Sequence, residues 1–436
     1  MGVGLWARWA AMHGTVRVFM RVQALRGDPL ARLIAGHGQE IDPYPLLEEI
    51  RAGGPLVRTP FTWVSVDHGL CREVLRDKRF GVTASSSMDL PRPLPALISR
   101  TDDERVPNPV EPPAMVVVNP PEHTRYRQLV AQSFTRRAVD KLGTRVAEVT
   151  DQLIERLADA PHPDLIADFA SQLPVAIIGE ILDLPADTHP RMLQWGHSGA
   201  PLLDLGIGWR TYRRAINGLR GADHELRERF QQLRAGQPAD HPFSRLAADG
   251  SLTDHEFTAN AALLIGAGFE TTVNLIGNGV VALLENRDQL ERLRADPELW
   301  PSAVEEILRF DSPVQMTART ALCDVELAGQ RIAAGEMVAL LLAGANRDPQ
   351  VFADPDRFDI TRPNSRDHLA FASGIHACLG AALARIEGAT ALRALFETFP
   401  DLELTAPPQH RGLVNLRGFS RLPVRLDSRN AASLRA

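Results

Sequence analysis

A cysteine near the C-terminal end stands where chemistry could happen. The run FASGIHACLG, residues 371–380, crowds Gly374, His376 and Gly380 around Cys378. Such a cysteine can be a metal ligand, a nucleophile or one more small apolar residue in a core. Most free cysteines are buried and inert, and that reading is kept for Cys71 in GLCREVL and for Cys323 ahead of a strand-like run. Cys378 differs in its surroundings. Gly374 lets the backbone turn where a side chain would obstruct. The helix-forming run AALAR that follows implies a helix N-terminus, where free amides and the helix dipole favour a thiolate. Zinc would need further Cys or His ligands, and the sequence offers no such cluster. A nucleophile would need a base and an orienting partner; His376 could serve as base, but no third member is evident. One strong ligand on a rigid, glycine-bordered loop suits a metal already held in plane by a macrocycle, which is haem.

A second stretch, AGFETT at residues 267–272, lies in a long apolar run. Ala267 and Gly268 are small enough for a planar ligand and a diatomic to approach the backbone. Inside a helix the Thr271 hydroxyl can bond back to the Ala267 carbonyl and loosen the ladder. Glu270 is the one charge between Phe257 and Leu284. A buried carboxylate is costly unless paired, hydrogen-bonded or protonated. It is therefore either a proton-relay acid beside Thr271 or a core glutamate tied to an arginine, and the adjoining threonine favours the relay. Two further pairs share helix faces: His123 and Arg127 at i and i+4 in PPEHTRYRQLV, and Glu306 and Arg309 at i and i+3 in VEEILRF.

FASGIHACLG resembles the cysteine-ligand loop of the cytochrome P450 family, departing at Ala372, where glycine is commoner. Other family segments follow in order over nearly the whole chain, and the look is that of soluble actinobacterial and mycobacterial members. The resemblance implies a mainly α fold with a smaller β-rich part: a helical body around a long central helix, plus a small β-sheet lobe. It makes Cys378 the axial ligand of haem b iron, a thiolate that favours O–O cleavage, framed by Phe371, Gly374 and Gly380. His123, Arg127, Arg319 and His376 correspond to haem-propionate contacts, and Ala267 and Gly268 to the small residues over the ring. Glu306, Arg309 and Arg357 match a structural triad behind the cysteine loop. Glu270 and Thr271 correspond to the acid–alcohol pair that delivers protons to O2. Substrate contacts fall on Leu90, Leu94, Leu202, Leu203, Phe269, Val314 and Met316, mostly apolar. The implied activity is hydroxylation or epoxidation of a moderately hydrophobic small molecule. A haem-thiolate binding protein or isomerase without oxygen activation is the alternative, against which AGFETT argues. With no glycine-rich dinucleotide motif after a strand, electrons are expected from a separate ferredoxin and ferredoxin reductase, docked on an arginine-containing face that includes Arg385.

The elements that must position these residues are legible in outline. The 436-residue chain is 44% hydrophobic and 23% charged, a soluble globular balance. A net charge of -6 offers no extended nucleic-acid surface. Lysine occurs only at Lys78 and Lys141 among 48 basic residues, a bias best explained by a GC-rich genome. Three scattered cysteines make no disulfide framework and fit a reducing, cytoplasmic setting. The first twenty residues carry Arg8 and Arg17 within their apolar run, so neither a signal peptide nor a membrane span is expected. Residues 1–40 are expected to form a helical extension, which touches the body or a membrane surface, and 41–436 one catalytic domain. Its β-rich parts fall at 56–66, 315–345 and 400–426, and its helical body at 120–310 and 379–398. Thr253 and Glu256 form a capping box that opens a central buried helix. DVELAGQRI reads as strands around an Ala-Gly turn, MVALLL as a short buried strand, and NRDPQVFADPDRFD as an irregular meander. The proline-rich stretch from Ser85 to Pro113 reads as a long loop.

Overall fold

The computed structural model describes residues 2–36, 42–83, 108–235, 242–248 and 250–426. At the N-terminus α1 (Gly2–Trp9) runs through a π-turn into α2 (Thr15–Leu25), followed by α3 (Pro29–Ala35) and α4 (Tyr44–Arg51). Asp28 caps α3 by accepting from the Ala31 amide, and Pro29 fits the first turn because no helical bond needs its missing N–H. Val16 and Met20 of α2 pack with Leu30, Ile34 and Leu47 against Val64 and Ala339 of the sheet.

That sheet joins distant parts of the chain. Its strands are β1 (Val57–Arg58), β2 (Trp63–Ser65), β3 (Phe80–Gly81), β4 (Thr317–Ala321) and, beyond the hairpin of β5 (Val325–Leu327) and β6 (Gln330–Ile332), β7 (Met337–Leu340). They lie in the order β1-β2-β7-β4-β3, with β2 parallel to β7 and the other pairs antiparallel. The β5–β6 turn is made by Ala328 and Gly329, both at positive φ, as a tight two-residue hairpin requires. Cys323 is exposed beside this hairpin, where the sequence suggested an inert core cysteine; Cys71 is fully buried. Near the C-terminus β8 (Glu403–Leu404) pairs with β11 (Val424–Arg425), and β9 (Gln409–His410) with β10 (Phe419–Arg421).

The helical body comprises α5 (His68–Arg76), α6 (Glu122–Ala131), α7 (Arg136–Ala158), α8 (Gln172–Ile181), α9 (His189–Gly199), α10 (Trp209–Ala235), α11 (Pro242–Ala248), α12 (Asp254–Glu285), α13 (Arg287–Ala295), α14 (Trp300–Phe310), the short α15 (Leu342–Ala345) and α16 (Ala381–Thr398). The capping box on α12 forms in full, with Thr253 and Glu256 bonded reciprocally. Among the described residues α12 is the helix long and apolar enough to cross a membrane, and most of it is enclosed by protein. It is apolar all round because it runs through the centre of the molecule. Helices α8, α9, α10, α14 and α16 pack around it. Each fully buried Leu, Val or Phe in this core contributes about 1.5–3 kcal/mol. A Cβ at Gly279 would come within 2.8 Å of Leu392 and 3.0 Å of Ile307, so this glycine sets how closely α16 and α14 approach.

Candidate functional site

Between α12 and the loop before α16 lies a cavity of about 420 Å³. Its walls are mostly apolar, and Ala267, Gly268 and Thr271 of α12 form one edge while His376, Ala377 and Cys378 form another. The Thr271 hydroxyl donates to the Ala267 carbonyl at 2.8 Å, and Thr272 repeats the pattern to Gly268 at 3.2 Å. These back-bonds loosen the helix where it meets the cavity.

The cysteine loop is shaped by backbone constraints. Gly374 has φ +74°, and a Cβ there would lie 2.1 Å from the Leu75 carbonyl oxygen, so no other residue fits. Ala372, where the motif usually has glycine, also adopts positive φ, 56°, which costs an alanine about 1–2 kcal/mol. The Cys378 amide donates to the Phe371 carbonyl at 2.9 Å and closes the loop. The Cys378 side chain opens onto the cavity, and the desolvating walls around it push its thiol up against the Gly380 amide, Arg127 and Arg385, which favour the thiolate. The helix N-terminus alone therefore does not ionise this thiol; a coordinated cation would.

Beside the cysteine, two imidazoles and two guanidinium groups converge. The His123 and His376 rings are 4.1 Å apart, and Arg127 reaches over from α6 to donate to the Ala377 carbonyl at 2.8 Å. Arg319, on β4, is buried and donates only to Thr317 and the Ala318 carbonyl; no carboxylate pairs with it among the described residues. It does not line the cavity, but its charge reaches His376. Burial brings Arg319 down to about 10. Burial and then the charges of His123, Arg319 and Arg127 push His376 down to about 3. The His376 Nε2 atom is buried with no hydrogen-bond partner. Such a cluster is expensive unless an anion completes it. A ring bearing two carboxylates beside a cysteine ligand fits this donor set.

Other expected residues separate. Leu203, Val314 and Met316 line the cavity. Phe269 does not; it is fully buried against Gly196 and the His197 ring, because its place on α12 turns it away from the Thr271 edge. Leu202 packs instead with Ile216 and Leu219. Leu90 and Leu94 lie outside the described residues.

Glu270 is likewise turned from the cavity. Its carboxylate is buried, pairs with Arg411, and stands 3.6 Å from His197 Nε2. It occupies the core-glutamate arrangement that the sequence left as the second reading, and any proton role must run through these partners. The triad also needs correction. Glu306 binds Arg309 at 2.7 Å, but the side chain completing it is Arg362, 3.2 Å from Glu306 Oε1. Arg357 has an exposed side chain and contributes only its carbonyl, which accepts from Arg309 and Arg362. Arg385 pairs with Glu305 at 2.7 Å and stacks on Phe371. Sequence reasoning missed Arg411, His197 and Arg362, whose roles depend on long-range contacts. It also missed Glu387, a buried acid lining the cavity. Its signal was present: Leu383, Glu387 and Ala391 follow at i, i+4 and i+8, an acid on an apolar face.

Comparison with known proteins decides the identity. A Mycobacterium tuberculosis protein named as a cytochrome P450 140 is 47% identical over 426 residues, covering 96% of this chain and 97% of the relative. The chain belongs to the cytochrome P450 family. The family model described as Cytochrome P450 matches residues 209–411. The vitamin D(3) 25-hydroxylase of Pseudonocardia autotrophica is 39% identical, over 89% of this chain and 95% of its own. The solved structure of P450BioI, in complex with hexadec-9Z-enoic acid ligated acyl carrier protein, superposes with a TM-score of 0.79 at 32% identity, covering 88% of this chain and 99% of that one. The fold is thus the cytochrome P450 fold, and this P450 is a monooxygenase of a family whose members bind haem b. The P450s of this family use O2 and depend on redox partners.

Proposed function

We propose that this P450 oxygenates a moderately lipophilic small molecule held above Cys378, by hydroxylation or epoxidation, with electrons from a ferredoxin and its reductase. Haem b supplies activation of O2 and transfer of one oxygen atom. Cys378 would ligate its iron, and His123, Arg127 and His376, with the buried charge of Arg319 behind them, would hold its carboxylates. The observation that carries this reading is that Cys378 and the Ala267–Thr271 edge line one cavity, beside Arg127, His123 and a His376 whose buried Nε2 has no hydrogen-bond partner.

Apolar walls from Ile177, Ile178, Leu203, Val314 and Met316 exclude water and favour a lipophilic substrate. The relatives act on, or are bound to, molecules of that kind: vitamin D(3) in one, a hexadecenoic acid in the other. Thr271 holds a hydroxyl proton at the oxygen-binding edge. Glu270 Oε1 has no hydrogen-bond partner and faces His197, from which it would collect a proton for Thr271. His197 opens onto a surface cleft it shares with Arg210, Arg213 and Arg214. Protons would enter at His197 Nε2, pass to Glu270 Oε1, and reach Thr271 Oγ1 when Glu270 lets go of Arg411. This gives the acid–alcohol pair a route from solvent.

The test is the role of Cys378. Cys378→Ser should bind haem weakly or not at all and lose the reduced carbon-monoxide band that gives the family its name. A variant that keeps an unchanged band would remove Cys378 from the centre of this reading.

A further inference from the structure

Nine large apolar side chains are exposed among the described residues, and five of them, Trp6, Val18, Phe19, Val22 and Leu25, lie on α1 and α2. Their arrangement is ordered. Val18, Val22 and Leu25 follow at i, i+4 and i+7 and form one stripe, 63%, 40% and 89% exposed, with Phe19 at its margin. The opposite side of α2 already buries Val16 and Met20 against the body. A surface helix ordinarily turns polar residues outward once its apolar face is packed. Here the outer face is apolar as well.

The charge around this stripe points to its occupant. From Met1 to Gly27 there is no acidic residue, in a chain whose net charge is -6. Arg21 and Arg26 are exposed beside the stripe, and Arg17 is partly buried. The helix is also fastened to the rim of the cavity. Trp9 Nε1 donates to the Ile207 carbonyl and Arg17 Nη1 to the Gly206 carbonyl, both at 2.9 Å. Three residues before Gly206, Leu203 is both exposed and part of the cavity wall.

We propose that α1 and α2 form a lipid-contact face, which rests on an anionic membrane surface with Val18, Val22 and Leu25 in the acyl boundary and Arg21 and Arg26 at the phosphates. An interfacial helix binds through apolar area plus attraction to anionic lipid. The rest of the protein is repelled by such a surface, so the local positive charge also orients it. A second copy of the chain is the weaker occupant. A two-fold contact through this stripe would bring each Arg21 and Arg26 towards the same residues of its partner. Lying beside Leu203, the face would place the cavity rim at the level where a lipophilic substrate is dissolved.

The test is flotation of the full-length, haem-loaded protein with vesicles of phosphatidylcholine, alone or mixed with phosphatidylglycerol. The wild type should float with the mixed vesicles at low salt, stay behind with phosphatidylcholine alone, and be released as salt rises. Val18→Ser, Val22→Ser and Leu25→Ser combined should abolish flotation while leaving the absorption spectrum unchanged and thermal stability little altered, because none of the three belongs to the buried core of this helix. Arg21→Gln with Arg26→Gln should weaken binding by about 25-fold, roughly fivefold for each charge. Failure of the wild type to float with anionic vesicles would overturn the proposal, as would flotation of the triple serine variant at wild-type level. A dimer in solution that the serine variant dissociates, without any flotation, would overturn it too and assign the face to a second copy. None of these readouts depends on turnover, so they stand apart from the assignment of the reaction.

Discussion

Thr271 and Glu387 are polar groups on the wall of the same apolar cavity, and they do opposite things there. The Thr271 hydroxyl is bonded to its own helix at Ala267, so turning it to the cavity costs one modest hydrogen bond. Thr271→Ala should bind haem and substrate as before but release hydrogen peroxide in place of oxygenated product, with product per electron pair falling at least about tenfold. Full coupling in that variant would end its role in proton delivery. Glu387 has no partner for Oε1, and burial raises its carboxyl from the usual 4.5 to about 8. The folded state then keeps a proton that the unfolded chain gives up above 4.5, so stability falls with rising pH across that window, by up to about 1.4 kcal/mol per pH unit. Glu387→Gln removes this loss. Urea midpoints should show the variant gaining on the wild type by roughly 3 kcal/mol between pH 5 and pH 8; a pH-independent difference would mean Glu387 does not titrate this way. The two residues were unequally legible. Thr271, Cys378 and His123 sit in local motifs whose spacing shows in the sequence, whereas Glu387 gains its meaning from what surrounds α16. Phe269 shows the converse, an apolar residue beside the site whose helix phase sends it elsewhere.

At the scale of elements, the Glu306 network ties helix α14 to a meander that has no regular structure of its own. Arg309 donates to the Asn346 and Pro355 carbonyls, and Arg362 to the Asp354 and Arg357 carbonyls, while the Asp359 amide donates to Glu306. Every charge in it is buried and paired, so removing one leaves the others stranded. Glu306→Gln or Arg362→Ala should therefore cost about 3–5 kcal/mol and weaken haem retention, whereas Arg357→Ala should change stability by less than about 0.5 kcal/mol. Chemical denaturation of the three variants checks the ranking; an Arg357 variant as damaged as the Arg362 variant would restore the original triad. The i, i+3 pair was readable because helical spacing fixes it. The third member was not, because in a meander the side chain that turns inward depends on carbonyls brought together by the whole fold. The same limit hid Arg411, about 140 residues from Glu270, while the capping box of α12 and the β5–β6 turn were read correctly because each closes within a few residues.

For the molecule as a whole, the helices that carry the site are held together by carboxylates with depressed titration. Glu305, buried on α14, accepts from Arg385 of α16 at 2.7 Å and from His368 at 3.0 Å. Burial alone would raise its carboxyl, but these bonds prevail and hold it at about 2. Glu256 does the same between α12 and α6: burial would raise it, but bonds from Thr253, Tyr126 and Arg125 keep it at about 2. A depressed carboxyl contributes its full stabilisation above the unfolded value of 4.5 and loses it as pH falls towards 2. Glu305 is enclosed and can account for up to about 1.4 kcal/mol per pH unit in that window; Glu256, nearer solvent, accounts for less. Acid thus loosens the joints between α6, which carries His123 and Arg127, α12 with Thr271, and α16 behind Cys378. Glu387 acts with the opposite sign on the alkaline side. His376, held at about 3 by burial and neighbouring charge, loses stability as pH falls below its unfolded 6.5 and so offsets Glu387 between 4.5 and 6.5; together these groups predict a stability maximum near pH 6 for the wild type. Glu305→Gln should be less stable at that maximum yet flatter below it, and Glu387→Gln should shift the maximum upward. Urea midpoints at pH 3, 4, 5, 6 and 8 measure both slopes. An acid limb as steep in Glu305→Gln as in the wild type would show that the joint between α14 and α16 is not held by this titrating charge.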